Sequence, residues 1–69
     1  PNPANDVINI NYVEGAKIQI FNNIGQEVYS MSNANEYNQI DMSAHQAGSY
    51  VVRVTKGDKT NNYKMILVK

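Results

Sequence analysis

The stretch GSYVVRVTKGDKTNNYKMILVK, residues 48–69, decides the fold. Its first half alternates between apolar and polar positions, which is typical of a half-buried β-strand. The apolar face of that strand carries Tyr50, Val52 and Val54. GDKT, residues 57–60, supplies a turn, and NNYKMILVK, residues 61–69, returns as a final strand. One side of the final strand carries Tyr63, Met65 and Leu67, and the other carries Lys64, Ile66 and Val68. The stretch therefore predicts an antiparallel β-hairpin.

The rest of the chain keeps the same period of two. VININY, residues 7–12, predicts a first strand. One face of this strand carries Ile8, Ile10 and Tyr12. AKIQIFN and EVYSM flank the turn NNIGQ, so residues 17–31 predict a second hairpin, in which Gly25 is free to adopt a positive φ. QIDMS, residues 39–43, predicts a further strand, and SAHQAG, residues 43–48, predicts a single turn. The apolar anchors of QIDMS are Ile40 and Met42.

Short strands with regularly spaced turns predict a single domain, residues 1–69. The expected fold is all-β, a small antiparallel Ig-like β-sandwich of about six to seven strands. A small closed barrel is the structural alternative. GSY before an alternating strand predicts a tyrosine corner, in which the Tyr50 hydroxyl bonds the backbone of the preceding crossover and Gly48 supplies the bend. The alternative for Tyr50 is an ordinary core aromatic.

Size and charge exclude several functional classes. The 69 residues carry six basic and six acidic side chains, so the net charge is zero. Nucleic-acid binding and polybasic membrane anchoring both need a cationic face, so neither is expected. No apolar run approaches the roughly 20 residues that span a bilayer, so direct membrane insertion is not expected either. Because the chain has no cysteine, no disulfide supports the core.

Catalytic chemistry is poorly supported by the sequence. His45 is the only histidine, and it stands with Asp41 and Ser43 in a span too short for the geometry of a catalytic triad. These residues are interpreted as a solvated turn. The aspartates lack the spacing of metal ligands, and no glycine-rich phosphate loop occurs, so neither an enzyme nor a cofactor is expected. Tyr29 and Tyr37 are candidates for stacking on a sugar ring, or else they lie at the edge of the core.

The order of motifs along the chain resembles a known family. PNPANDVINI opens the chain, IQIFNNIGQEVY and IDMSAHQAGSYVVRV follow, and YKMILVK closes it. Over its whole length the chain resembles the C-terminal sorting domain of the type IX (Por) secretion system, type A. The shared features are a Pro-Asn-Pro opening, a Gly-Gln hairpin turn, a Gly-x-Tyr crossover and a lysine-containing apolar last strand.

The resemblance implies an export label rather than a catalyst. Such a domain is covalently part of a larger cargo protein, which crosses the inner membrane by its own signal and passes through the periplasm. The outer-membrane translocon of the type IX system then recognises the domain. After passage, a sortase-like peptidase removes the domain by cleavage upstream of the Pro-Asn-Pro segment. The cargo stays at the outer membrane and cell surface or is secreted.

The residues that match the family's motifs fall into three groups. The N-terminal motif is Pro1, Asn2 and Pro3. The hairpin turn is shaped by Gly25 and Gln26. The residues expected to serve translocon recognition are Gly48, Tyr50, Val52, Lys64, Ile66, Val68 and Lys69. Each group also has a purely structural interpretation, because glycines shape turns, prolines stiffen the chain and lysines protect edge strands from aggregation.

The apolar last strand supports a hypothesis about recognition. A two-layer sandwich buries one side of a strand, so the other side of the last strand is expected to be accessible. The exposed apolar side chains there are Val51, Ile66 and Val68, and their cationic rim is Arg53, Lys64 and Lys69. The hypothesis is that the translocon reads this strand by edge pairing or through the apolar patch. The alternatives for this surface are a covering loop or self-association, such as a swapped or edge-paired homodimer. The alternative function for the whole domain is an Ig- or fibronectin-like accessory module for adhesion or glycan binding.

Overall fold

The computed structural model describes residues 7–68, and these residues form six β-strands. In chain order the strands are β1 (Val7–Asn11), β2 (Lys17–Phe21), β3 (Glu27–Met31), β4 (Tyr37–Asp41), β5 (Gly48–Lys56) and β6 (Lys59–Leu67). Among the described residues, none belongs to a helix of the length and apolarity that crossing a membrane requires.

The strands form two antiparallel sheets. The smaller sheet pairs β1 with β4, and the larger sheet has the order β3-β2-β5-β6. Successive strands change sheet at three connections, between β1 and β2, between β3 and β4, and between β4 and β5. This arrangement confirms the predicted all-β, Ig-like antiparallel sandwich. Over residues 7–68 no strand pairing joins the two sheets, so the closed-barrel alternative is wrong.

The core lies between the sheets and is filled from alternate strand positions. The larger sheet buries Ile18, Ile20, Tyr50, Val52, Val54 and Leu67. The remaining core is made by Ala16, Ala34, Ile40 and Met42. The predicted alternation of β2 and β5 is therefore confirmed, as are the two apolar anchors around β4. Full burial of one such isoleucine or leucine side chain stabilises the fold by about 2 kcal/mol.

Tyr12 is the residue at which the alternation of β1 fails. The pattern predicted Tyr12 on the face of Ile8 and Ile10, but β1 ends at Asn11 and Tyr12 is 77% exposed. Its backbone is left-handed, with φ +66°, and its N–H donates to the carbonyl oxygen of Glu36 at 2.5 Å. A left-handed residue breaks the extended backbone on which a period of two depends. The prediction for Tyr12 was therefore wrong.

The turn between β2 and β3 is organised by the side chain of Asn22. Its Oδ1 accepts hydrogen bonds from the backbone N–H groups of Ile24 at 3.1 Å and Gln26 at 2.9 Å. Its Nδ2 donates to Oε1 of Gln26 at 3.1 Å. Gly25 adopts φ +83°, a left-handed conformation that costs a residue with a Cβ about 1–2 kcal/mol. Gly25 and Gln26 are therefore both part of the turn that closes the hairpin.

Tyr50 connects β5 to the segment that crosses between the sheets. Its ring is buried, and its hydroxyl donates to the backbone carbonyl oxygen of Gln46 at 2.5 Å. This is the hydrogen bond that defines a tyrosine corner. Gly48 has φ +149°, a backbone conformation that favours glycine, where the chain bends into β5. The predicted corner hydrogen bond is present, and an ordinary core aromatic would not require it.

Removal of the Tyr50 hydroxyl tests the contribution of this corner. Tyr50→Phe keeps the buried ring but leaves the Gln46 carbonyl without its donor, so we expect the free energy of unfolding to fall by about 1 kcal/mol. Urea denaturation followed by circular dichroism measures the change. Tyr63→Phe is the matched control, because it removes the same atom from a ring that is 55% exposed. Equal denaturation midpoints for Tyr50→Phe and the wild type would contradict the corner's role.

Candidate functional site

The edge of β6 is the first feature of the candidate site. β6 pairs with β5 from Lys59 to Leu67, and within residues 7–68 no strand pairs with its other edge. Unpaired backbone N–H and C=O groups along such an edge can hydrogen-bond to an added strand. The last four residues of β6, Lys64 to Leu67, carry only one charge, at Lys64. The apolar half of β6 therefore carries little charge that would oppose the pairing of another strand with this edge.

The second feature is the outer face of the larger sheet, next to that edge. Ser49 lies opposite Ile66, and Val51 lies opposite Lys64. Three apolar side chains on and beyond this face are exposed: Val51 by 38%, Ile66 by 60% and Val68 by 55%. The structure thus leaves all three predicted patch residues open to solvent. We call Phe21, Val51, Ile66 and Val68 the outer patch.

Phe21 joins the outer patch through Arg53. The Arg53 guanidinium lies over the Phe21 ring, 4.9 Å from its centroid, and its Nε donates to Oδ1 of Asn62 at 3.0 Å. Phe21, Val51, Arg53 and Lys64 line one shallow depression of about 560 Å³. The cation–π contact and the hydrogen bond hold the Arg53 charge beside the apolar side chains. Two apolar residues of the outer patch, Phe21 and Val51, therefore lie beside two cations, Arg53 and Lys64.

Sequence reasoning missed Phe21. The signal was available, because Phe21 follows Lys17 and Gln19 on the polar face of β2, where a large apolar side chain is out of place. Its outward position also follows from its register opposite Val51. An aromatic residue on the polar face of a strand thus marked an exposed apolar surface.

The other residues predicted for recognition fall in different environments. Tyr50 and Val52 are buried, with 6% and 5% exposure, so their side chains contribute to the core. Gly48 is exposed at the start of β5, and Lys64 is exposed in β6. Pro1, Asn2, Pro3 and Lys69 lie outside the described residues. The structure thus places Lys64 and Ile66 on one face of β6, leaves Val68 exposed just beyond the strand, and buries Tyr50 and Val52 in the core.

An exposed aromatic pair lies at one end of the smaller sheet. Tyr12 and Tyr37 are 77% and 62% exposed, and their ring centroids are 5.6 Å apart with the planes at 68°. Tyr29, the other tyrosine considered for sugar stacking, is partly buried against the core. Tyr37 therefore has an exposed ring, whose aromatic neighbour is Tyr12.

The Asp41, Ser43 and His45 segment forms a tight turn. The Ser43 backbone N–H donates to Oδ1 of Asp41 at 2.9 Å, and the His45 N–H donates to the carbonyl oxygen of Met42 at 3.0 Å. Both bonds are local turn bonds of the β4–β5 connection. In the described part of the chain, no group of three or more His, Cys, Asp and Glu side chains is placed to hold a metal ion.

The fold defines a small β-sandwich domain in which the edge of β6 has no partner strand among residues 7–68. The family described as secretion system C-terminal sorting domain matches residues 1–69, and the chain belongs to that family. No curated protein sequence and no solved structure matches the chain. The resemblance seen in the sequence is therefore confirmed over the whole chain.

Membership of this family establishes the general role of the domain. It is a type IX secretion sorting signal, and it is the C-terminal part of a cargo protein that this system handles. The role implies export of the cargo to the cell surface or into the medium. The members of this family are C-terminal sorting domains of cargo proteins.

Proposed function

We propose that the type IX outer-membrane translocon recognises this domain through the free edge of β6 together with the outer patch. The observation that carries the proposal is the proximity of the two features. Ile66 and Lys64 belong to the unpaired edge strand, and Val51, opposite Lys64, extends the same surface onto β5. A partner that adds a strand to β6 would therefore also reach the outer patch.

The two features would contribute differently to recognition. Backbone hydrogen bonds along β6 would supply affinity without regard to side chains, and alternate side chains would fix the register. Burial of the exposed parts of Val51, Ile66 and Val68 would add hydrophobic free energy. Lys64 and Arg53 would favour a partner surface with complementary negative charge.

The proposed course of export follows from the domain's role as a label. The cargo passes through the periplasm, the translocon binds the folded domain, and a sortase-like peptidase then cleaves the chain upstream of Pro1. The isolated domain has no catalytic activity in this scheme, and it requires no cofactor. A homodimer formed through the same β6 edge stays a prediction, which size-exclusion chromatography with light scattering would test.

A reporter fusion tests the proposal. A periplasmic reporter with its own export signal is fused ahead of residues 1–69 and produced in a bacterium that has a type IX system. Deletion of residues 64–69 is expected to abolish delivery to the surface and medium, leaving the reporter in the periplasm. Cleavage is tested with a second fusion that retains the residues preceding Pro1 in the cargo protein, because removal of the domain lowers the mass of the surface reporter by at least about 7.7 kDa.

Point variants separate recognition from folding, since the deletion also removes Leu67 from the core. Ile66→Glu places a charge in the outer patch at a site that is 60% exposed, so we expect export to fail while the melting temperature changes little. Thr60→Glu puts the same charge on the same face at the far end of β6 and should leave export intact. Export of the deletion fusion, or equal export of the two point variants, would refute the proposal.

A glycan-binding accessory role is the second candidate, and the exposed Tyr12–Tyr37 pair favours it. Aromatic rings that project from a sheet offer apolar faces to sugar rings. Titration of the domain with a glycan array, with Tyr37→Ala as the comparison, distinguishes this role. Glycan binding that Tyr37→Ala abolishes, combined with export that is independent of residues 64–69, would favour the accessory module.

A further inference from the structure

The two sheets of the sandwich are unequal, and the difference leaves part of the inward face of the larger sheet uncovered at β6. The smaller sheet has two strands among the described residues, whereas the larger sheet has four. Along the inward side of β6, Leu67 is buried, Met65 is partly buried and Tyr63 is 55% exposed. The cover supplied by the smaller sheet therefore decreases along β6 from Leu67 to Tyr63.

A groove runs along the uncovered region. It has a volume of about 570 Å³ and is lined by the whole of β1, Val7 to Asn11, on one side. The other side is apolar and is formed by Val13, Val52, Val54, Tyr63 and Met65. Successive residues of a strand point to opposite faces, so a groove that contacts all of β1 lies along its edge. That edge is the one opposite β4, and within residues 7–68 it has no partner strand.

The groove continues beyond the C-terminal end of β1 into a cationic site. A second cavity of about 320 Å³ shares Val13, Val54 and Tyr63 with the groove. Its far end is formed by Lys56 and Lys59, which flank the β5–β6 turn. Both lysines are exposed, and neither forms an ion pair within the described part of the chain. Asp58 lies between them in the turn but does not line the cavity.

We propose that this groove binds an extended peptide segment of a partner protein, which adds a third strand to the smaller sheet alongside β1. Its alternate apolar side chains would cover Met65 and Tyr63, and its backbone would pair with the free edge of β1. An acidic residue at one end would meet Lys56 and Lys59. Antiparallel pairing, the more stable arrangement, places the N-terminus of the peptide at the lysine end.

The dimensions and charges specify the peptide. Five residues of β1 extend over about 16 Å, so about five peptide residues pair with the edge and one or two more reach the lysines. The expected sequence is therefore acidic at its N-terminus and alternates apolar and polar residues after that. This site borders the inward face of β6, whereas Ile66 of the outer patch projects from the outward face of the same strand, so peptide binding can be measured separately from the proposed route of export.

Titration with a designed peptide tests the inference. The probe is the synthetic peptide Glu-Glu-Val-Thr-Val-Thr-Val, added to the ¹⁵N-labelled 69-residue chain and followed by amide chemical shifts. We expect saturable shifts along β1 and at Tyr63 and Met65. The control peptide Lys-Lys-Val-Thr-Val-Thr-Val should bind at least about tenfold more weakly, and N-methylation of alternate backbone amides on the pairing edge of the probe should abolish binding.

Variants of the chain locate the site. Tyr63→Glu places a charge in the groove and should weaken binding by about tenfold or more, whereas Ile66→Glu, on the opposite face of β6, should leave it unchanged. Exchanging both Lys56 and Lys59 for glutamate should reverse the preference between the two peptides. Amide spectra with native dispersion show that each variant remains folded.

Several results would overturn the inference. Among them are the absence of shifts at millimolar peptide, shifts confined to the outer patch, and equal binding of the acidic and basic peptides. Concentration-dependent shifts in β1 without peptide would show that a second copy of the chain fills the groove instead. Nuclear Overhauser contacts from residues 1–6 to Met65 would show that the chain fills it itself.

Discussion

Replacing Ile20 by alanine is expected to lower the free energy of unfolding by about 3–4 kcal/mol, the largest loss among the changes considered. Ile20 is fully buried in β2, where it lies opposite Tyr29 on one side and Val52 on the other. The change removes buried methyl and methylene groups and leaves a cavity between strands that cannot easily close. A chain of this size has a total stability on the order of 3–10 kcal/mol, so a large unfolded fraction is expected at 37 °C.

Ile24→Ala is the matched control for that experiment. It deletes the same atoms from a side chain in the β2–β3 turn that is 79% exposed, and its expected effect is within about 0.5 kcal/mol. Urea or thermal unfolding of the three proteins gives the comparison. Similar losses for Ile20→Ala and Ile24→Ala would contradict the placement of the core between the sheets.

Asn38→Ala is expected to cost about 3 kcal/mol, because Asn38 is the buried polar residue of the described chain and its amide is fully engaged. Its Nδ2 donates to the carbonyl oxygens of Ile10 at 2.8 Å and Asn35 at 2.6 Å. Its Oδ1 accepts from the Asn35 N–H at 2.9 Å. Alanine would leave these backbone groups without partners in a partly buried site, and each such loss is costly.

The control for Asn38 is Asn9→Ala, in the neighbouring strand β1. Asn9 is exposed, so its replacement should change stability by less than about 0.5 kcal/mol. Hydrogen exchange adds a local measurement, since the β1–β4 pairing should open more often in Asn38→Ala than in Asn9→Ala. Equal unfolding free energies for the two variants would show that the Asn38 bonds contribute little.

Alternating apolar residues were sufficient to predict the two hairpins that make up the larger sheet, although not the pairing of β2 with β5 that joins them. In β2 and in the centre of β5 the inward residues are Ile18, Ile20, Tyr50, Val52 and Val54, and each of these is buried. The local signals at Gly25 and Gly48 were equally direct, because both residues adopt positive φ values where the chain turns. The strand residues were predicted from the alternation that burial imposes, and the glycines from the geometry of the turns.

The prediction for Tyr12 failed, and the environments of Tyr63 and Asn38 were not predicted, because all three depend on tertiary contacts. Tyr12 shares the alternation of β1, but its backbone is left-handed and its N–H donates to the carbonyl oxygen of Glu36, which only the folded chain brings near. Tyr63 lies on the same side of β6 as Met65 and Leu67, as predicted. Its side chain remains exposed because the smaller sheet is too narrow to cover it. Asn38 occupies an inward position of β4 where the pattern favours an apolar residue, and its partners become apparent only in the folded structure.

The candidate site was predicted in part. The exposed side chains of the last strand follow from its two-sided apolar pattern, since a sandwich strand buries one side only. The contribution of Phe21 and the clamped position of Arg53 depend on the register between β2 and β5. The groove beside β1 depends on the number of strands in each sheet, which periodicity does not report.

The pairing of β2 with β5 has a consequence for when the domain can form during protein synthesis. Lys17 pairs with Thr55, so the central ladder joins parts of the chain that leave the ribosome far apart in time. Until β5 emerges, the nascent chain contains the strands of the β2–β3 hairpin and of the β1–β4 pair, but it lacks the central strand that closes the core. A cargo interrupted by premature termination before Lys56 would therefore carry no folded label, which would restrict export to polypeptides that have been translated nearly to completion.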